Sequence, residues 1–161
     1  MAAIVEAFPT LFLAALIPEK ELLAALGEEP VRKKSDIYWK RLVAGYRVQK
    51  LLDFLLPGRC FANELREFTD HEHRAAIVCA LTALTVAKGH AVGVGDPDDG
   101  DIFLPPKELW GVASVGTEPW AEAALRHGIA SLQRKAKAGK AVHPCARVRR
   151  HGRNWMSFCR A

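Results

Sequence analysis

Apolar residues in this chain gather into runs with readable ends. Ala75 to Ala87 (AAIVCALTALTVA) carries no charge on any face of the helix it would form, which predicts a helix buried all round. Thr69 followed three residues later by Glu72 fits a capping box at its start, and Lys88-Gly89 supplies a cation and a turn residue at its end.

Upstream, Ala3 to Phe8 is a brief apolar run closed by Pro9, which predicts a buried strand with Glu6 inside it or at its end. Thr10 to Leu16 and Pro18 to Leu26 read as short helices, the second with Pro at its first turn and Gly27 beyond its end. After the charged connection Glu28 to Lys34, a stripe of Tyr38, Leu42, Val43, Tyr46, Leu51, Leu52 and Leu55 predicts one long helix from Ile37 to Leu56. Ser35 or Asp36 would cap it and Pro57-Gly58 would stop it. Phe61 to Phe68 makes one or two helical turns.

Downstream, residues 90–95 and 101–104 flank the turn-rich Asp96-Pro97-Asp98-Asp99-Gly100, a hairpin pattern that Pro105-Pro106 ends. Lys107 to Trp110 reads as a helical turn, and Gly111 to Pro119 as a loop at a subdomain boundary. Trp120 to Ala138 is a last helix, amphipathic and then basic. Ala146 to Cys159 alternates about His151-Gly152 as a second hairpin.

The chain's 161 residues, half of them apolar, suit one domain or one domain with an appendage. The division that follows is residues 1–106 and a basic helix-hairpin extension, 107–161, packed on the first part.

Net charge is +5, and the excess is concentrated: Arg126 to Arg160 contains ten Lys and Arg and no acid. A run of this kind is commonly a solvated face, but it also suits a polyanion. Arg134, Lys135, Lys137 and Lys140 fall on the predicted helix, and Arg147, Arg149, Arg150, Arg153 and Trp155 on the hairpin. Cations there would neutralise phosphates, and Trp155 would either stack on a base or groove wall or, equally, anchor the hairpin to the core; nucleic acid is the expected partner.

The four cysteines are scattered, the apolar N-terminus lacks a basic n-region, and no stretch is long enough to span a bilayer. Reduced thiols and a cytoplasmic location, with no membrane partner, are the expectation. Neither a zinc pattern among His143, Cys145, His151 and Cys159 nor a calcium loop at Asp96, where Lys107 stands in place of the last acid, is supported by spacing.

Three ordered motifs, IVEAFPTLFLAALIPE, DHEHRAAIVCALTALTVAKG and AVGVGDPDDGDIFLPP, resemble the C-terminal part of an uncharacterised family of predicted nucleases with a ribonuclease H-like fold. The resemblance covers about Ala3 to Pro106. It implies a mainly helical α/β fold, a partial ribonuclease H-like domain with few short strands, and phosphodiester hydrolysis by two divalent cations, Mg²⁺ or Mn²⁺, held by converging acids.

Carried over by position, Glu6 matches the acid on a later strand of that fold, and Asp70 and Glu72 match the acids at the mouth of its late helix. These three are the candidate catalytic residues and metal ligands; the alternative is that Glu6 pairs with a cation at the core edge and that the acids at the helix mouth serve as caps, the commoner role there. Two departures stand out. Relatives carry an aspartate within the first turns of the late helix, where this chain has His73-Arg74-Ala75-Ala76. The first strand and its aspartate have no counterpart before Glu6, so the expectation is a truncated or diverged nuclease-related protein with an incomplete metal site.

A rival reading is a non-catalytic winged-helix-like DNA-binding or protein-interaction module. Val48 to Leu56, Ala62 to Phe68 and Glu72 to Lys88, followed by the hairpin to Leu104, have the order of that module. Against it, a recognition helix apolar on every face offers nothing to base edges.

Overall fold

Pro9 opens the first helix because a proline at the first helical position has no amide to leave unpaired. In the computed structural model, which describes residues 5–28, 34–96, 100–127, 147–150 and 155–156, this helix, α1 (Pro9–Ala15), is the hub. Phe12 to Ile17 are all buried, and α1 packs against three other elements: helices α3 (Lys34–Ala44) and α5 (His71–Ala87), and strand β2 (Gly100–Leu104). The sequence pointed to the apolar run of α5 as the middle of the fold. The middle is α1.

The reason lies in how α5 distributes its residues. Its buried set, Arg74, Val78, Leu81, Thr82 and Thr85, follows one stripe of the helix, with Ile77 and Leu84 partly buried beside it. Ala76, Cys79, Ala80, Ala83 and Ala87 face out. Lack of charge is not burial: alanine exposes little apolar surface and favours the helix, so an alanine face tolerates water. Thr82 and Thr85 enter the core because their hydroxyls donate to the carbonyls of Val78 and Leu81, at 2.8 and 2.6 Å.

Helix α2 (Glu19–Glu28) runs through Gly27 rather than ending there. The long helix expected over 37–56 is two, α3 and α4 (Arg47–Leu55), broken at Gly45-Tyr46. The apolar stripe continues across the break, which is why the sequence reads as one helix. The backbone turns because Tyr46 adopts φ 55°, with its N–H donating to Val43 O at 3.1 Å and Lys50 N–H donating to its own carbonyl at 3.0 Å. Residues 61–68 form only a 3₁₀ turn, Leu65–Glu67, before α5.

Gly89, at φ 72°, turns the chain out of α5 into β1 (Val92–Asp96), which pairs antiparallel with β2 from Val92↔Leu104 to Asp96↔Gly100. The expected hairpin is therefore present, its tip at 97–99 lying outside the described residues. The predicted strand at Ala3–Phe8 reduces, over residues 5–8, to one parallel bridge between Ala7 and Phe103, because Pro9 begins α1 at once.

Two further strands, β3 (Arg147–Arg150) and β4 (Trp155–Met156), pair as the second expected hairpin and complete a sheet of order β2-β1-β3-β4. The architecture is mainly helical with one antiparallel sheet, an α/β arrangement.

Residues 105–121 close over the α1–α2 corner. Gly111 N–H donates to Ala15 O (2.8 Å), Glu19 N–H to Val112 O (3.0 Å), and the Trp120 indole N–H to Ile17 O (2.7 Å). Trp110 and Ala121 join Ala15, Val92 and Leu104 in a second apolar cluster beside the main one. A helix, α6, begins at residue 120 and is described to 127; the rest of the expected 120–138 helix lies outside the described residues. Among the described residues, no helix is long and apolar enough to cross a membrane.

Candidate functional site

Helix α5 starts one residue later than the capping box implied. Asp70, not Thr69, is its N-cap, and one carboxylate oxygen, Oδ1, accepts the N–H groups of Glu72 (2.9 Å) and His73 (3.1 Å). Those two residues sit next to each other and both are good caps, so spacing alone does not choose between them. The hydrogen bond from His73 N–H, opposed by slight desolvation and helped by that from Glu72 N–H, holds the Asp70 carboxyl below its ordinary range.

Arg74, one turn into α5, points inward. Its Nε donates to Phe68 O at 2.7 Å and its Nη1 to Asp36 Oδ1 at 2.7 Å, and only 9% of the residue is exposed. Asp36, in the first turn of α3, also takes His71 Nδ1 at 3.2 Å on the same oxygen. The sequence marked Asp36 as a cap and Arg74 as part of a charged mouth; the fold makes them an ion pair that ties α3 to α5. A gap beside them, lined by Pro9, Ser35 and Asp36, holds about 10 Å³, room for one water.

Burial pushes the Asp36 carboxyl up, but hydrogen bonds from His71 and Arg74, with their charges, outweigh it and hold the group below its ordinary 3.8. A carboxyl that stays ionised to lower pH when folded stabilises the fold fully above that ordinary value. The contribution is lost as pH falls through the lower, folded-state value. Thermal melts from pH 5 down to pH 2 should therefore show a steeper loss for the wild type than for Asp36→Asn; parallel curves would remove Asp36 from the acid response.

The three expected metal ligands are not brought together. Glu6 is exposed in the segment before α1, Asp70 is engaged as a cap, and Glu72 is exposed on the first turn of α5. Among the described residues, no three His, Cys, Asp or Glu side chains are grouped so as to hold a metal ion. As arranged, the residues do not fit a two-cation site, and Arg74 places a guanidinium at the turn where the resembling family carries an acid.

The basic segment is clearer in part. Arg126 is committed to acids, with Glu118 at 2.5 Å and Glu122 at 3.8 Å, and Lys107 to Glu122 at 2.6 Å. Arg134, Lys135, Lys137, Lys140 and Arg153 lie outside the described residues. Arg147, Arg149 and Arg150 lie on β3, which pairs with β1 as Gly95↔Arg147, Gly93↔Arg149 and Val92↔Arg150, and Arg149 pairs in turn with Trp155.

The order expected of a winged-helix module, α4, the 3₁₀ turn, α5 and the β1–β2 hairpin, is present in the chain. The outer face of α5 is exposed rather than buried, yet beyond its first turn it offers Ala76, Cys79, Ala80, Ala83 and Ala87, none of which reads a base edge. Cys60 and Cys79 are both exposed free thiols. Comparison with protein-family models, with curated proteins and with solved structures finds no match to this chain.

Proposed function

We propose that this chain is a nuclease-related, ribonuclease H-like domain that acts by binding nucleic acid through its basic C-terminal segment. The three ordered motifs support the family assignment. The observation that carries the binding reading is the register of β3 on β1.

Directly opposed residues of antiparallel strands share a face. The Arg149 position is therefore on the same face as Gly93, Phe103 and Trp155, and the Arg147 position on the same face as Gly95 and Asp101. This is the face opposite to Val92 and Leu104, which belong to the core. Two arginine positions on β3 and a tryptophan position on β4 are thus grouped on two adjacent strands, with glycine positions of β1 alongside.

Guanidinium groups on such a face neutralise phosphates, and binding is driven by release of the counterions those phosphates held. The position paired with Arg149 holds a tryptophan, a residue type that stacks on unpaired bases. Binding is favoured over cleavage because Glu6, Asp70 and Glu72 are not gathered and the mouth of α5 is internally paired.

Labelled single- and double-stranded DNA and RNA oligonucleotides, titrated with the full chain and followed by anisotropy, test this. Two phosphate contacts, from Arg147 and Arg149, predict a loss of affinity of about tenfold between 50 and 200 mM salt. Absence of binding at low salt, or binding indifferent to salt, would overturn the reading.

A further inference from the structure

We propose that the cleft between the α3–α4 corner and residues 61–66 is a binding site for a nucleobase. The cleft holds about 430 Å³, within the size range of small-ligand sites, and is open to solvent; its lining includes neither the paired residues at the mouth of α5, Asp36, Asp70 and Arg74, nor any residue of β3. The proposal does not depend on the β3 reading.

Its walls carry two aromatic rings. Phe61 is partly buried against the main core, while Tyr46 is 66% exposed and belongs to neither apolar cluster. Tyr46 also holds the left-handed backbone of the corner, φ 55°, a conformation that glycine adopts without strain. For the fold alone, glycine would serve this position better. What tyrosine adds is a flat ring at the rim of the cleft.

On the same segment as Phe61, across the cleft from the α3–α4 corner that carries Tyr46, are Asn63, Glu64 and Arg66, whose side chains have no hydrogen-bond or ion-pair partner among the described residues. The frame that presents them is braced: Gln49 Nε2 donates to Asp53 Oδ1 at 2.9 Å and to Arg59 O at 3.2 Å, fastening the incoming loop to α4.

The inventory selects the ligand class. A carboxylate accepts only, a guanidinium donates only, and an amide does both, so the complementary edge must carry N–H donors and ring-nitrogen or carbonyl acceptors together. Two rings call for a flat partner. A simple anion would meet Glu64, and an aliphatic ligand would strip water from three polar groups without replacing it. A base stacked on Tyr46 with its polar edge toward 63–66 meets all of these demands, as unpaired bases do on other aromatic-lined surfaces.

The base could come from a free nucleotide or from a single strand, and one experiment separates the sources. Isothermal titration of the full chain with the four nucleoside monophosphates and with short homopolymeric DNA strands is repeated on Tyr46→Gly and Tyr46→Phe. The expected result is binding that falls about tenfold or more in Tyr46→Gly and is retained in Tyr46→Phe, with the thermal transition of Tyr46→Gly unchanged or raised. Uptake of the monophosphates marks a free nucleotide, and uptake of strands alone marks a base in a chain. Binding undiminished in Tyr46→Gly, or no binding of either probe, overturns the proposal. Strand binding lost only on removing Arg147 and Arg149 would leave the β3 reading intact and end this one.

Discussion

Replacing Arg74 with alanine is expected to lower the melting temperature by about 5–10 °C, from a loss of about 2–4 kcal/mol. The guanidinium is nearly buried and spans two elements, with Phe68 O and Asp36 Oδ1 both at 2.7 Å. Its removal leaves a carbonyl and a carboxylate without their donor and opens space beside Val78. The cost of stranding a charge usually exceeds the net value of the intact pair. Arg74→Lys should recover only part, because an ammonium at one point cannot satisfy acceptors lying in two directions. Circular dichroism melts of the three proteins check this; an alanine variant as stable as wild type would mean the pair does not hold α3 to α5.

Gly111→Ala should be more damaging still, by about 3 kcal/mol or more, and should lower the melting temperature by at least about 8 °C. A Cβ at residue 111 would overlap the Ile17 carbonyl group and crowd the Pro18 nitrogen, which are backbone atoms that cannot swing aside. To admit it, the α1–α2 corner must part from residues 110–120. That weakens Gly111 N–H to Ala15 O, Trp120 N–H to Gly111 O, and the Trp120 indole bond to Ile17 O together. Gly27→Ala is the control. Gly27 lies within α2 with nothing within 4 Å of its would-be Cβ, so alanine there should raise stability slightly, by about 0.5–1 kcal/mol.

Features governed by neighbours in the chain were legible. Pro9 and Gly89 punctuate the backbone whatever surrounds them, and the start of α1 and the passage from α5 into β1 follow from them. Burial was not legible for α5, because the pattern distinguishes charged from apolar positions but not a large apolar residue facing in from a small one facing out. The α3–α4 break was hidden for a related reason: the stripe from Tyr38 to Leu55 is continuous, and the turn rests on a tyrosine in a conformation that sequence rules assign to glycine or asparagine.

The candidate site divides along the same line. Asp70 was marked as standing at the mouth of α5, and it does. Its carboxylate is spent on the helix amides, the commoner role of an acid at a helix N-terminus. Asp36 and Arg74, 38 positions apart, could not be paired by any local rule, so the ion pair at that mouth was invisible. In that pair the Arg74 guanidinium meets its counter-charge from α3 and joins two helices.

The account rests most heavily on β3 as a nucleic-acid surface. The direct measurement is the slope of log affinity against log salt for a single-stranded oligonucleotide, in wild type and in Arg147→Ala/Arg149→Ala, with both proteins shown folded by their thermal transitions. Weaker binding at low salt and a slope shallower by about 1.4, about 0.7 for each lost phosphate contact, is the predicted result. Equal affinities and equal slopes in the two proteins would contradict it.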